Sequence, residues 1–213
     1  MNQNRIGLLI AIKWEIPNFF INFNLDFKRE FNTVKLKYDS EIIVGISGPG
    51  KKNAIDKTEL LLKKYDIDFL INIGFSGTIK NNARIGDIIV AKNLLYNEEK
   101  IQVDNNLIKK VITPLKSDNR QYKLGDVQTF DSFVHSKEIL SSEVLAVDME
   151  SYHIAKTAKK FGVKTIVIRS ITDYLSEKDP KFFHSYYAFF KTYIGKNRAC
   201  KCLDNICGSI FNL

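Results

Sequence analysis

The segment LAVDMESYHIAKTAKKFGVKTIVIRSITD, residues 145–173, decides the fold. An apolar run, Val144–Val147, leads into a stretch where Ile154, Ala155, Ala158 and Phe161 fall on one helical face, and a β-branched run, Thr165–Arg169, follows. That order predicts a strand, a crossover helix and a second strand. The same grammar holds upstream. Ile6–Ile12, Glu41–Ile46, Phe69–Ile73 and Asp87–Ala91 read as buried strands, and Ala54, Ile55, Thr58, Leu61, Leu62 and Tyr65 share a helix face. Alternating strands and helices predict an α/β fold, a sheet covered by helices on both faces. The polar, weakly periodic stretch Tyr96–Arg120 reads as a loop and a short helix, and FFHSYYAFFKTYI after Lys181 as a closing helix.

No linker or repeat divides the 213 residues, so a single domain over 1–213 is expected, with 45% apolar residues to fill its core. The apolar run near the N-terminus, Gly7 to Ile12, is too short for a signal peptide or a membrane span, which points to a cytoplasmic protein. Cys200, Cys202 and Cys207 crowd one end of the chain and read as reduced thiols on a helix or tail. No histidine lies within fifteen residues of them, so no metal site is expected. The net charge of +8 is spread among acidic residues without a basic block, which argues for a solvated surface and against nucleic acid.

Chemistry is expected at the carboxyl edge of the strands, where open α/β sheets bind ligands. Four strand ends carry notable residues: Trp14-Glu15, Gly74-Phe75-Ser76-Gly77, Asp148-Met149-Glu150, and Arg169-Ser170-Ile171-Thr172-Asp173. Each carboxylate alone could merely cap the following helix. Together, three carboxylates and an arginine form a constellation. Gly48 and Gly50 place a tight turn before a helix whose free N–H groups can hold an anion or a polarised water, although a turn serving only chain geometry has the same signature. The segment Gly45–Lys51 has P-loop spacing, but Lys52 stands where a magnesium-binding hydroxyl belongs. A Ser–His–Asp hydrolase is also excluded: the Gly-x-Ser-x-Gly elbow is missing, and His135, His153 and His184 avoid strand ends.

The segments IGLLIAIKWE, SGPGKKNA, FLINIGFSGTIKNNARIGDIIVA and the 145–173 segment, in this order, resemble the methylthioadenosine/S-adenosylhomocysteine nucleosidase and nucleoside phosphorylase superfamily. The resemblance implies a three-layer sandwich with a central mixed β-sheet, cleavage of the N-glycosidic bond of a purine nucleoside, no cofactor, and a homodimer. It implies that Asp173 is the general acid toward N7 of the leaving purine, that Glu150 grips the ribose hydroxyls with Met149 packed under the sugar, and that Glu15 is the base for the attacking water. Arg169 would orient Glu150. Phe75, Ser76 and Gly77 would line the pocket, Phe133 would stack on the base with Val134 reading its edge, and Phe183 would cover the 5′ end of the ribose. Burial at a strand end can raise a carboxyl pKa enough for such an acid to work near neutral pH.

The chain departs from the nucleosidase pattern in keeping one carboxylate, Glu15, in Lys13-Trp14-Glu15, and in placing a bulky ring at Phe75. The leading expectation is hydrolysis of 5′-modified adenosines such as methylthioadenosine or S-adenosylhomocysteine. The alternatives are a phosphorylase of the adenosylhopane type or of other purine nucleosides, with phosphate held by the Gly48–Lys51 turn, and an inactive nucleoside-binding or storage protein.

Overall fold

A computed structural model describes residues 5–17, 20, 23–36, 40–78, 82–132, 143–175 and 186–211. Among the described residues, nine strands form one mixed sheet in the order β2-β3-β1-β4-β8-β7-β5-β6, with β9 paired to both β4 and β5. These are β1 (Arg5–Ile10), β2 (Phe31–Lys35), β3 (Glu41–Ile46), β4 (Phe69–Thr78), β5 (Ile88–Tyr96), β6 (Glu99–Gln102), β7 (Lys123–Thr129), β8 (Val144–Asp148) and β9 (Lys164–Tyr174). Because β4 also pairs with β8, and β5 with β7, the strands β4, β8, β7, β5 and β9 close into a ring within the larger sheet.

Helices α1 (Lys51–Lys64), α2 (Asn105–Ser117), α3 (Ser151–Lys160) and α4 (Tyr186–Phe211) flank that sheet. The two-residue period of a strand explains the layering. In β1, Leu9 points to the layer holding Ala54 and Leu61 of α1 and Ile154 and Ala158 of α3. Its neighbours Leu8 and Ile10 join the larger core, with Leu107 and Val111 of α2 and Leu203 and Phe211 of α4. The expected α/β sandwich is therefore observed.

Several details differ from the expectation. The stretch Tyr96–Arg120 holds strand β6 and the thirteen-residue helix α2, not a loop and a short helix. Its apolar face, Leu107, Ile108, Val111 and Leu115, is interrupted by Lys109, Lys110 and Pro114, which dilutes the periodicity; the Asp104 carboxylate caps the first turn by accepting Leu107 N–H. Strands β2 and β7 carry too much polar character, FNTVK and KLGDVQT, to register as buried runs. The first strand ends at Ile10, and Lys13–Glu15 forms a 3₁₀ turn instead of continuing extended. The three cysteines lie inside α4, where Cys207 is fully buried and Cys200 and Cys202 are partly so.

Candidate active site

The site gathers where β1, β4, β8 and β9 end. Glu15 is brought inward by the 3₁₀ turn and is only 6% exposed. Three backbone donors hold its carboxylate: Ala11 and Ile12 N–H reach Oε2 at 3.0 Å each, and Phe75 N–H reaches Oε1 at 2.7 Å. Gly74 makes this approach possible, because a Cβ there would lie 2.8 Å from Oε1. Burial raises the Glu15 pKa, against the opposing pull of these hydrogen bonds and of the Arg169 charge.

Glu150 stands at the corner between β8 and α3 and is 8% exposed. Its Oε1 accepts Gly50 N–H at 2.6 Å, so the glycine turn at the start of α1 holds a carboxylate of the chain itself. Its Oε2 lies 3.3 Å from Met149 N. Burial, then the nearby Asp148 charge, push its pKa up to about 7, with Gly50 and Arg169 opposing. Glu15 adds to the rise, so the two carboxylates feel each other's charge.

Asp173 is positioned by an irregularity in the β4–β9 pairing, where the register shifts between Ser76 and Gly77. Ser76 pairs with Ile171 and Gly77 with Asp173, which leaves Thr172 as the extra residue of a bulge. The Thr172 hydroxyl donates to Asp173 Oδ1 at 2.5 Å, and the other oxygen faces Gly77, which has no side chain to crowd it. Burial raises the Asp173 pKa. The Ser76 hydroxyl is buried without a hydrogen-bond partner among the described residues, and the Phe75 ring is half-buried against the core. Phe133, Val134 and Phe183 lie outside the described residues.

Arg169 does not reach Glu150 as the resemblance implied. It is 1% exposed, and its Nε donates to Asp148 Oδ2 at 2.8 Å. The remaining donors go to the Asn72 and Ile168 carbonyls, to Asn72 Oδ1 and to Ser151 Oγ. A guanidinium has five N–H groups, and here all five are used within the chain. Arg169 acts on Glu15 and Glu150 by its charge alone, lowering both pKa values.

Asn72 was not singled out in the sequence, and Asp148 and Gly74 stood in the quoted strand-end motifs without a role of their own. Asn72 is a polar residue inside the apolar run Phe69–Ile73, a visible anomaly; its amide also donates to the Leu9 carbonyl and so ties β4 to β1. His153 is buried, with Nε2 3.5 Å from Asp131 Oδ1.

An α/β fold with two buried carboxylates and a partly buried third, all of raised pKa, at one strand edge defines an acid–base enzyme site. The chain belongs to the Phosphorylase superfamily, whose family model matches residues 5–203. A 5′-methylthioadenosine/S-adenosylhomocysteine nucleosidase from Staphylococcus epidermidis is 28% identical over 202 residues, 81% of this chain and 88% of that protein. The crystal structure of the Helicobacter pylori nucleosidase of the same name, with butyl-thio-DADMe-Immucillin-A, is similar at 25% identity and a TM-score of 0.75, covering 97% of this chain and 98% of the other. Futalosine hydrolase of Helicobacter pylori shares the fold, with a TM-score of 0.80, 24% identity and coverage of 98% and 97%.

Proposed function

We propose that the chain is a purine nucleosidase that hydrolyses the N-glycosidic bond of 5′-modified adenosines, with 5′-methylthioadenosine and S-adenosylhomocysteine as the first substrates to test. The names of its relatives support the reaction class. The residues supply the roles. Asp173, whose pKa is raised by burial, gives a proton to the purine nitrogen as the bond breaks, so the leaving group departs neutral. Glu150 receives the ribose hydroxyls, and its negative form stabilises the positive charge growing on the sugar. Glu15 takes the proton from the attacking water; its raised pKa makes it a stronger base than an exposed carboxylate. Two carboxylates serving a breaking glycosidic bond follow the logic of glycoside hydrolases.

The observation that carries hydrolysis over phosphorolysis is the saturation of Arg169. Phosphate bearing two negative charges needs donors and cations. Among the described residues around Glu15 and Glu150, the buried Arg169 guanidinium has no donor to spare, and the Gly50 N–H is engaged by Glu150. Two carboxylates beside the nucleophile repel phosphate and favour water. Residues 1–213 are read as one domain, and the enzyme as a cytoplasmic homodimer, the commonest oligomer. Exposed Ile12, Phe23 and Phe27 offer apolar surface for the second copy, and light scattering that finds only a monomer at micromolar concentration would refute the dimer.

Purified protein incubated with each nucleoside, with and without phosphate, tests the function. Free adenine and free sugar in both cases are expected. Sugar 1-phosphate formed only with phosphate would reverse the assignment, and tight nucleoside binding without base release would favour a storage protein.

A further inference from the structure

The Asp148 side chain is only 2% exposed, and it sits two residues from the ribose-gripping carboxylate. A buried aspartate at a strand end has an ordinary explanation as the counter-ion of a buried arginine, and the 2.8 Å contact with Arg169 fits it. The rest of its surroundings goes further. Its Oδ1 accepts the Thr129 hydroxyl at 2.7 Å, which ties it to the end of β7. The same oxygen lies 3.3 Å from both Glu150 N and Ser151 N, so the carboxylate clasps the backbone of the corner from which Glu150 projects. Its Oδ2 accepts the Ser151 hydroxyl as well as Arg169, and the Asp148 carbonyl receives Phe130 N–H.

We propose that Asp148 is a positioning residue, which fixes the place of Glu150 through the corner backbone and tunes its charge by like-charge repulsion across the same corner. This rests on the nucleosidase reading given above. Both actions follow from one geometry. Arg169 and the two hydroxyls hold Asp148 still, and a fixed carboxylate in a dry site exerts its field with little screening. Among the described residues, the groups that face Glu150 come from four elements: Asp148 on β8, Arg169 on β9, Glu15 on the 3₁₀ turn, and the Gly50 N–H at the start of α1. Among them Asp148 follows burial as the largest upward influence on the Glu150 pKa, which stands at about 7. Near neutrality Glu150 is therefore divided between a neutral form and a charged form. Removing the Asp148 charge moves it toward the charged form.

The pH dependence of Asp148→Asn separates these actions from the counter-ion role. The substitution keeps the shape and one acceptor oxygen for Thr129 and the corner N–H groups, while it removes the charge. At pH 8, where Glu150 is ionised in both proteins, kcat/KM is expected to fall by roughly 10- to 100-fold through loss of exact placement. At pH 6 the unsubstituted enzyme has lost most of its ionised Glu150, and the variant keeps a larger share. The ratio of variant to unsubstituted activity should therefore rise from pH 8 to pH 6, by at most roughly 10-fold, the span of one proton titrating near 7. Asp148→Glu keeps the charge but not the fit, and should lose activity with an unchanged pH profile. A constant ratio for Asp148→Asn across this range would overturn the proposal, since a purely structural loss is indifferent to pH.

If Asp148→Asn does not fold, Thr129→Val removes one support of Asp148 and leaves all charges in place. It is expected to lower kcat/KM at every pH, and unchanged kinetics would overturn the positioning role. The unsubstituted enzyme serves as the first arm with methylthioadenosine. Absence of adenine release there refutes the nucleosidase reading itself, whereas release with a pH-independent ratio refutes only the role of Asp148.

Discussion

Substituting Gly74 by alanine tests the placement of Glu15 with the smallest possible perturbation. The backbone at Gly74 is not in the left-handed region, so alanine meets no conformational penalty there. The added methyl would lie 2.8 Å from Oε1, 3.2 Å from Cδ and 3.3 Å from Oε2 of Glu15. Restoring an ordinary contact of 3.4 Å requires the carboxylate to retreat by about 0.6 Å from Oε1's present place. It cannot retreat freely, because three N–H groups pin it and the Phe75 bond is already 2.7 Å long. Stretching that bond by a similar amount takes it to about 3.3 Å, the long end of the hydrogen-bond range, and forfeits part of the ~1.5–3 kcal/mol that a bond to a charged acceptor contributes. A displacement of about 1 Å in a catalytic group costs on the order of 100-fold in rate, so roughly 10- to 100-fold is expected here. Adenine release from methylthioadenosine, followed by its ultraviolet absorbance, gives kcat, and a thermal melt reports the fold. A variant with kcat within about twofold of the unsubstituted enzyme would refute the argument that Gly74 exists to admit Glu15.

Asp173→Asn keeps size and a donor but cannot release a proton, so kcat should fall by roughly 10²- to 10⁴-fold while adenine binding changes little; near-normal turnover would remove Asp173 as the acid. Stability should also depend on pH through Glu150. Its folded pKa of about 7 lies above the ordinary 4.5, so the folded chain holds this proton more tightly than the unfolded one. The resulting stabilisation is fully present below 4.5 and is lost as pH rises through about 7, a change of about 3 kcal/mol. Denaturant unfolding from pH 5 to pH 8 should show this fall, and Glu150→Gln should flatten it; an equal pH slope in the variant would contradict the assignment.

The fold was legible where burial on both faces of a strand forces an apolar run, as in Ile6–Ile10, Phe69–Ile73 and Thr165–Arg169. It was illegible where one side of a strand is wet. In β2, Phe31 and Val34 are buried while Lys35 is exposed, and in β7 the exposed Lys123 and Leu124 precede buried Gly125, Asp126 and Val127. Asp126 itself is a polar core residue, satisfied by Asn93 at 2.7 Å, and such a pair only makes sense once the two strands are known to be neighbours. Helix α2 was blurred for a local reason. Pro114 stands inside its last turn, where the pattern alone suggests a stop.

The site shows why motifs reveal residues before they reveal connections. Glu15, Glu150 and Asp173 stood out because charged residues at the ends of apolar strands are costly and must be used or paired. The partner of Arg169 could not be read the same way, since residues 148 and 150 are both acidic and are separated by one residue. Strand geometry decides between them. Asp148 is the last residue of β8, close enough to meet Arg169 of β9, whereas Glu150 has turned the corner to Gly50. Asn72 completes the choice by taking two of the guanidinium N–H groups, through its side chain and its own carbonyl. One buried amide thus fixes where the arginine points. On the proposed assignment this direction leaves Glu150 for the sugar, and it leaves no guanidinium donor free beside Glu15 and Glu150 among the described residues, a condition that water tolerates far better than phosphate.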